Sequence, residues 1–479
     1  MHNSRLILLL KSLSPGEMRQ FLLFVESPVV NQQPRLLKFA QLLHRAYPGF
    51  SDPLLEKTSV HAWVYGEDTP FQAQALYDLS AQMLRLLEQF LAYEQFKSEP
   101  GATDLSLLRA LSSHSAGAHF DRVYQRLLDT SMAGYDTHAA YYRFQAHQLA
   151  DTLTSRLQNR GQHDHLARAA DHLDMFYIAS RLRISCELLN RHYIIKTGFD
   201  TGPTDALIVW LASADPALVN TPLIAIYVQV YRMLRWQEES VYQHLAQLLD
   251  AHATAFSRQE AYSLFAYAQN YCIKRINEGK QPYLEELFRL YQQLLDTGIL
   301  LEEGMLAHEH YKNITTVALR LSRFEWVQTF LAQYKSRLHP DVQENAWTYN
   351  QSVLYFEQKQ YREALKLLQQ VVFTDIYYHL SAKSILLKVY YELQEDESLE
   401  YLIHAFRALL RRNQQISGFH TASHLNLIRF TVHLMRLREQ KNKRKPAEWE
   451  ARRDELSARL MAAKGVSNAD WLRKKLAAL

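Results

Sequence analysis

Twenty-one histidines are the residues of this 479-residue chain most suited to holding a metal ion. Their densest group is His163-Asp164-His165 together with His172. His165 and His172 are seven residues apart, so they would share one face of a helix. Zinc sites usually need three or four converging ligands. We therefore interpret this group as a solvated turn beside a surface histidine, and we predict no bound metal.

A second histidine pair, His308 and His310, flanks Glu309. Two helical residues that are two positions apart point in nearly opposite directions. The metalloprotease motif HExxH would need a histidine at position 312, where this chain has Lys312. This stretch therefore lacks the spacing of a helical zinc site.

The low glycine content argues against most classes of nucleotide-binding enzyme. The chain has 14 glycines in 479 residues, less than half of the usual share of about 7%. Phosphate-binding loops and nucleophile elbows need glycine where the backbone takes a positive φ or approaches a ligand closely. The motifs GxxxxGK[ST], GxGxxG and GxSxG do not occur in the sequence.

Side chains that could act in catalysis are not arranged as catalytic pairs either. Glu285-Glu286 and Glu302-Glu303 are neighbours on predicted helix surfaces rather than opposed carboxylates. The two cysteines, Cys186 and Cys272, lie inside apolar helical patterns, which is typical of buried, unreactive thiols. We predict a protein that is not an enzyme and needs no cofactor.

The elements that carry these residues are predicted from hydrophobic periodicity, which is clearest between Asn345 and Arg412. Tyr361, Ala364 and Leu368 recur at the three- and four-residue spacing of an amphipathic helix. A short polar break at 357–360 separates this helix from the one before it, and helices joined by so short a link fold back on each other. The same pattern recurs along most of the chain, so we predict an all-α fold.

The stretch that begins at Asn345 resembles a tetratricopeptide repeat. Five residues match the repeat at its small, aromatic and large positions: Ser352, Tyr355, Tyr361, Ala364 and Leu368. Gln351 departs from the pattern, which has leucine there, and no proline closes the unit. The resemblance implies a right-handed α-solenoid of helical hairpins whose first helices line a concave groove. A unit of about 34 residues buries its apolar face only against neighbouring units, which implies an array.

We predict four regions along the chain. Residues 1–98 form a small helical module, in which Ser14, Pro15 and Glu17 have the pattern of a helix N-terminus. Residues 104–218 form an irregular helical region, residues 219–415 the tetratricopeptide-like repeats, and residues 416–479 a C-terminal helical cap. Helix pairs are predicted near 222–250, 258–297, 304–336, 342–373, 379–412 and 419–463.

The whole chain also resembles an uncharacterised family of bacterial helical-repeat proteins. The segments that carry the resemblance are LLKSLSPGEMRQF with FVESP near the start, DMFYIASRLRISCELLNR in the middle, and LLKVYYEL with AFRALLRRNQQIS near the end. The resemblance covers nearly all residues and implies that the predicted regions belong together. It implies no activity.

Two asparagines occupy equivalent positions in successive first helices of the predicted repeats. Asn313 and Asn350 each lie eleven residues before the aromatic residue that opens the second helix, which is Phe324 or Tyr361. In tetratricopeptide arrays these first helices line the groove. A side-chain amide there can both donate to and accept from an extended peptide backbone. Asn270 extends the series towards the N-terminus.

Lys312 and Lys388 place positive charge near these asparagines. We predict that Asn270, Lys312, Asn313, Asn350 and Lys388 contribute to binding a protein or peptide partner. The alternative is that the amides satisfy helix ends or neighbouring loops, because side-chain amides bond to the backbone more often than to ligands.

A basic segment near the C-terminus supports an alternative partner, nucleic acid. The run KNKRK at 441–445 precedes Pro446, and Glu439 and Glu448 dilute its charge. The N-terminal module could act as a helix-turn-helix, with Gln72 and Gln74 at the start of its long helix. The whole chain has a net charge of +4, from 54 basic and 50 acidic residues. This balance disfavours nucleic acid as the main partner.

The N-terminus has only five consecutive large apolar residues, Leu6 to Leu10. A signal peptide needs an apolar run of roughly 7–15 residues, and a membrane span needs about 20. We therefore predict a cytoplasmic protein that does not enter a membrane. The sequence leaves the oligomeric state open.

Overall fold

The structure is a computed structural model that describes residues 4–50, 53–113, 117–130, 137–156, 164–195, 200–370, 376–413 and 416–479. Most of the described residues are helical and very few are in strands, which confirms the predicted all-α class. One hairpin of two short strands interrupts the helices, β1 (Leu301–Glu302) and β2 (Met305–Leu306). The helices are α1 (Arg5–Leu10), α2 (Pro15–Glu26), α3 (Pro34–Ala46), α4 (Lys57–Tyr65), α5 (Ala73–Ser98), α6 (Ala102–Ser113), α7 (Gly117–Thr130), α8 (Thr137–Arg156), α9 (His165–Ile195), α10 (Thr204–Leu211), α11 (Pro216–Val219), α12 (Pro222–Trp236), α13 (Glu239–His252), α14 (Arg258–Asn277), α15 (Pro282–Asp296), α16 (His308–Arg320), α17 (Phe324–Lys335), α18 (Pro340–Glu357), α19 (Tyr361–Gln370), α20 (Ile376–Leu393), α21 (Asp396–Arg412), α22 (Gly418–Gln440), α23 (Pro446–Ala462) and α24 (Ala469–Ala478).

The predicted N-terminus of helix α2 is confirmed. The Ser14 hydroxyl accepts a hydrogen bond from the Glu17 backbone N–H at 3.2 Å, and the Glu17 carboxylate accepts one from the Ser14 N–H at 2.7 Å. Hydrogen bonds to the Glu17 carboxylate from the Ser14 backbone and from the Ser14 side chain lower the pKa of Glu17. Helix α2 packs into a core of buried residues that runs from Leu6 to Phe90. In that core the rings of Phe21 and Phe90 lie 5.6 Å apart.

The chain divides into two compact units. The first unit comprises Met1–Ser185 and Thr201–Tyr227, and the second comprises Cys186–Asp200 and Val228–Leu479. Besides the core around α2, the first unit contains a separate buried cluster to which α6, α7 and α8 contribute. Apart from residues 219–227, the predicted repeats belong to the second unit, and so do all the predicted peptide-binding residues.

Four helix pairs of the second unit are connected by turns with the same backbone conformation. The turns after α14, α16, α18 and α20 each contain one residue with a positive φ: Gly279, Ser322, Lys359 and Gln394. The next residue donates its backbone N–H to the carbonyl oxygen five residues earlier, at 2.8–3.0 Å. This is the Schellman arrangement that ends many helices. Of the four residues, only Gly279 adopts it without a steric cost from Cβ.

The predicted helix pairs lie close to observed helices. They correspond to α12–α13, α14–α15, α16–α17, α18–α19, α20–α21 and α22–α23. Residues 371–373 of one predicted pair lie outside the described residues. The hairpin β1–β2 was not predicted from the sequence, and helix α24 lies within the predicted helical cap but beyond its predicted helix pair.

Helices α18 and α20 are buried along most of their length. Helix α18 packs on α16 and α20 as well as on its partner α19. The Tyr378 hydroxyl of α20 donates to the His308 carbonyl oxygen at the start of α16, at 2.9 Å. The ring of Tyr378 also lies 5.2 Å from that of Tyr349 in α18. Farther along α20, the Ser384 hydroxyl is 3.1 Å from His424 Nδ1 in α22. The first helices of these successive pairs therefore enclose a shared interior.

Candidate functional site

The second unit contains a cavity of about 790 Å³ near the starting ends of α14, α16 and α18. The hairpin β1–β2 contributes part of its wall. Leu300, Met305 and Val342 give the cavity an apolar side. Eight polar or charged residues also line it: Arg258, Gln259, Tyr262, Glu302, Glu303, His308, His310 and His339. A cavity of this size and mixed lining is typical of sites for small molecules or short peptide segments.

The hairpin wall depends on a two-residue turn. Strands β1 and β2 pair antiparallel, and Glu303 and Gly304 connect them with φ values of 50° and 82°. Positive φ at both central residues is the requirement of a type I′ turn. The Leu306 N–H donates to the Arg337 carbonyl oxygen at 2.7 Å, just beyond the end of α17. This contact holds the hairpin in place as the wall of the cavity.

Tyr262 of α14 and His310 of α16 form a polar contact between two helices that line the cavity. The Tyr262 hydroxyl is 3.2 Å from His310 Nε2, and the two ring centroids are 5.7 Å apart. His310 Nδ1 is buried and has no hydrogen-bond partner within the described part of the chain. Burial lowers the pKa of His310, and the charge of Glu309 opposes that shift. Because an unsatisfied buried polar atom is costly, a ligand that reached this nitrogen would gain a hydrogen bond.

The other charged groups of the cavity bind neighbouring atoms. Arg258 Nε donates to the Ile299 carbonyl oxygen at 3.0 Å, and the guanidinium lies 4.0 Å from the Glu302 carboxylate. His308 Nε2 is 3.3 Å from the Glu309 carboxylate. The cavity therefore carries both signs of charge and is not built for a strongly anionic or strongly cationic ligand.

Two predicted peptide-binding residues, Asn270 and Asn313, lie on exposed sides of α14 and α16. The Asn270 side-chain amide donates to Asn190 Oδ1 at 3.1 Å. Asn313 is hydrogen-bonded to the buried Tyr291 phenol, whose pKa burial raises to about 12. Each amide therefore has one partner within the chain while remaining accessible to solvent.

The exposed sides of α14 and α16 adjoin the cavity. Asn270 follows Tyr262 by eight residues, and Asn313 follows His310 by three, so each asparagine shares a helix face with a cavity residue. Tyr262 and Ile273 on α14 are 39% and 40% exposed, which is high for large apolar side chains. The exposed face of α14 and α16, with its two asparagines, is called the open face below.

Asn350 is buried, unlike Asn270 and Asn313, which argues against the prediction that it binds a peptide. The residue is only 1% exposed, and its side-chain amide donates to the Ala346 carbonyl oxygen of its own helix at 2.7 Å. Helix α18 packs on both α16 and α20. A position that would face a groove in an open array is therefore inside the protein here.

Lys312 joins helices within the shared interior. Its ammonium group donates to the Ser381 hydroxyl at 2.7 Å. The same group lies 5.3 Å and 5.0 Å from the ring centroids of Tyr349 and Tyr378. The half-buried lysine thus connects α16 to α18 and α20 and serves the packing of these helices.

Lys388 is buried deeper than the sequence analysis predicts for a ligand-binding residue. It is 4% exposed, and its ammonium group lies 4.4 Å from the Phe356 ring centroid. Burial lowers the pKa of Lys388 to about 8, and the carboxylates of Glu357 and Glu392 oppose that shift. Its position argues for a role in packing α20 on α18 rather than in a groove.

His165 and His172, from the dense histidine group of the sequence, belong to a cluster in the first unit that also contains His147. His163 lies outside the described residues. The ring of His147 stacks on that of His172 with centroids 5.2 Å apart, and its Nδ1 is 2.7 Å from the Tyr124 hydroxyl, which also approaches His165. Burial, with the nearby histidines and arginines, lowers the pKa of His147 to about 4. In the ranges that the structure covers, no group of three or more His, Cys, Asp or Glu is placed to hold a metal ion.

Several of the basic residues near the C-terminus contact their own region. The ammonium of Lys441 and the guanidinium of Arg453 lie 5.3 Å and 5.7 Å from the ring of buried Trp449, and Arg438 forms an ion pair with Asp396. Residues 416–479 nevertheless contain fourteen lysines and arginines and six acids, a net charge of +8. The charge of the chain is therefore concentrated in its last sixty residues or so.

Comparisons with protein-family models, curated proteins and solved structures gave no significant match to this chain. Among the helices that the structure describes, none is both long enough and apolar enough to cross a bilayer.

Proposed function

We propose that this protein is a non-catalytic scaffold that binds a protein or peptide segment over the open face and in the adjoining cavity. The proposal includes a tetratricopeptide-like, right-handed array of helix pairs in the second unit. The four equivalent Schellman turns support that part, because a repeated turn is expected where one helical hairpin recurs.

The observation that carries the proposal is the continuity between the cavity and the two exposed asparagines. Tyr262 and His310 line the cavity and lie on the same helix faces as Asn270 and Asn313. A peptide that follows these faces can exchange hydrogen bonds with the amides. One of its side chains can enter the cavity against the apolar wall.

The composition of the open face also fits a protein partner better than a charged small molecule. Tyr262 and Ile273 offer apolar surface, and the amides offer neutral hydrogen-bonding groups. Tyrosine is enriched among residues that dominate binding energy at protein interfaces. Because the cavity carries both signs of charge, recognition there depends on shape and hydrogen bonds rather than on net charge.

Peptide selection tests the proposal. Peptides selected from a random display library on the purified protein are labelled, and their affinities are measured by fluorescence anisotropy. We expect Tyr262→Ala and Asn313→Ala each to weaken binding about tenfold, which corresponds to about 1.4 kcal/mol.

The matched controls are Tyr401→Ala and Asn442→Ala. Both residues are exposed and lie away from the open face, Tyr401 in α21 and Asn442 between α22 and α23. Their variants should bind the selected peptides as the wild type does. Equal affinities for the open-face variants and the controls would contradict the proposal.

A second candidate function, nucleic-acid binding, is favoured by the net charge of +8 in residues 416–479. Arg429 and Arg436 of α22 and Arg459 of α23 surround His433. Burial and then the charges of these arginines lower the pKa of His433. Nucleic-acid affinity of this origin falls steeply as salt rises, whereas peptide binding on the neutral open face should change much less. Loss of nucleic-acid binding in Arg429→Ala/Arg436→Ala, with peptide affinity retained, would separate the two functions.

A further inference from the structure

Helix α9 presents a row of large apolar side chains to solvent. Leu166, Leu173, Tyr177 and Ile184 are 63%, 42%, 53% and 51% exposed. All four belong to the first unit. Single exposed apolar residues are common on protein surfaces, but a contiguous apolar patch marks an interaction site.

The row has the spacing of a two-helix contact. Ala170 and Ser180 fill the gaps between the large residues, so the positions 166, 170, 173, 177, 180 and 184 follow one another by steps of four and three. Alternating steps of four and three keep residues on the seam between two paired helices. At a rise of about 1.5 Å per residue, the seam is about 27 Å long.

Side chains on the opposite side of α9 are already buried, since Ile178, Ala179 and Leu182 are at most 2% exposed. The exposed seam is therefore an additional apolar surface and not the helix face that contributes to the core. A helix that is apolar on two sides needs a partner on each of them.

We infer that the exposed seam of α9 pairs antiparallel with the same seam of a second copy of this chain. The seam is symmetric about position 175, so an antiparallel copy places Leu166 opposite Ile184 and Leu173 opposite Tyr177. The small residues Ala170 and Ser180 then also face each other. This self-complementarity is the property of a two-fold interface, in which one patch serves both partners. Antiparallel pairing also aligns the two helix dipoles favourably.

The contact is limited to one helix from each chain. Stable protein interfaces usually bury about 800 Å² per partner, and four partly exposed side chains provide less apolar surface than that. The dimer is therefore reversible and depends on protein concentration. This inference is independent of the proposed peptide binding, which uses residues of the second unit.

Size-exclusion chromatography with light scattering, over a wide range of protein concentration, tests the pairing. The wild type should shift from monomer to dimer as concentration rises. Leu173→Glu and Tyr177→Glu should remain monomeric because they place charge on the seam. The matched control is Tyr401→Glu, which alters a tyrosine of α21 that is 80% exposed; this variant should dimerise as the wild type does.

Circular dichroism of each variant checks that the helices are retained, as expected for substitutions at exposed positions. A wild type that stays monomeric at every concentration would overturn the inference. So would folded Leu173→Glu and Tyr177→Glu variants that dimerise as strongly as the wild type.

Disulfide formation tests the orientation of the two helices. The native thiols of Cys186 and Cys272 are buried, so new surface cysteines can be followed separately. In an antiparallel pair, a mixture of Leu173→Cys and Tyr177→Cys chains should form mixed disulfide-linked dimers, and each variant alone should form few. Efficient linkage of Leu173→Cys to itself would indicate a parallel pair and overturn the antiparallel arrangement.

Discussion

Asn313 and Asn350 each lie eleven residues before the second helix of successive helix pairs, yet their surroundings differ. Asn313 is exposed on α16 beside the cavity, whereas Asn350 is 1% exposed inside α18. The two helices end in the same turn and begin equivalent helix pairs. Asn350 is enclosed because α18 packs on both α16 and α20, so position within a helix pair does not by itself determine exposure to solvent.

The C-terminal helices contact α20, on which α18 packs. Helix α24 reaches α20 through Glu392, which accepts hydrogen bonds from Trp471 Nε1 at 2.9 Å and from Lys475 Nζ at 2.6 Å. Helix α22 contacts α20 through His424. Together with α16, these helices enclose α18 and α20, which we call the closed region. By contrast, the open face on α14 and α16 is accessible to solvent.

The largest expected effect concerns packing. Phe356→Ala removes a 5%-exposed ring that contacts Lys388 in the closed region, and we expect the free energy of unfolding to fall by about 3–5 kcal/mol. Tyr262→Ala on the open face should change it by less than about 1 kcal/mol. Urea denaturation followed by circular dichroism measures both. Similar losses in the free energy of unfolding for Phe356→Ala and Tyr262→Ala would contradict the difference between the closed region and the open face.

Acid should destabilise the closed region through His424. Burial, with the charges of His420 and Lys312, lowers the pKa of His424 from 6.5 to about 4. Between those values the unfolded chain binds a proton at this residue that the folded protein does not. The free energy of unfolding should therefore fall as pH decreases from about 6.5 to 4, by up to about 3 kcal/mol.

The histidine prediction is checked by comparing the wild type with His424→Gln across that pH range. The variant should lose less stability on acidification. His147, whose pKa is also lowered to about 4, is present in both proteins, so its contribution cancels in the difference. Parallel pH profiles for the two proteins would contradict the assignment to His424.

Replacing Asn350 should lower the stability of the protein more than replacing Asn313 does, whereas replacing Asn313 is the change expected to weaken peptide binding. Asn350→Ala removes buried packing and a hydrogen bond to the Ala346 carbonyl, and we expect a loss of about 1 kcal/mol in the free energy of unfolding. Asn313→Ala should cost less than about 0.5 kcal/mol, because exposed positions tolerate substitution. Thermal and urea unfolding of the two variants measure these losses. A larger loss for Asn313→Ala than for Asn350→Ala would contradict the prediction.

The smallest effects concern the shared turns. Lys359→Gly should stabilise the protein by a few tenths of a kcal/mol, up to about 1 kcal/mol, because Lys359 has a φ of 63°. Gly279→Ala should destabilise it by about 1 kcal/mol, because a residue with a Cβ is strained at the Gly279 φ of 92°. The added Cβ would have no neighbouring atom within 4 Å, so the cost comes from the backbone conformation alone. Shifts in the midpoint of urea unfolding measure both effects. Shifts in the same direction for the two variants would show that the two turns are not equivalent.

Helices were predictable from the sequence because their signals are local. The start of α2 follows from Ser14 and Glu17, and the helix pairs follow from apolar spacing. The hairpin β1–β2 was not predicted because its strands have only two residues each and its turn is Glu303-Gly304 rather than Asn-Gly.

The candidate site was less predictable because it depends on packing between distant segments. Asn270 and Asn313 were found from their spacing, but the burial of Asn350 depends on the packing of α18 against α16 and α20, which the spacing does not show. The polar contact between Tyr262 and His310 joins residues 48 apart, and no local pattern indicates it. The seam on α9 can be read from its spacing, but only the structure shows which apolar side of the helix is exposed.

Cysteine accessibility tests most directly the claim that α16 presents an open face while α18 lies inside. Asn313→Cys and Asn350→Cys are each reacted with a thiol-specific reagent under native conditions, with the buried native cysteines as the internal background. We predict rapid reaction at position 313 and reaction at position 350 only at the rate of unfolding. Comparable native rates at the two positions would contradict the account.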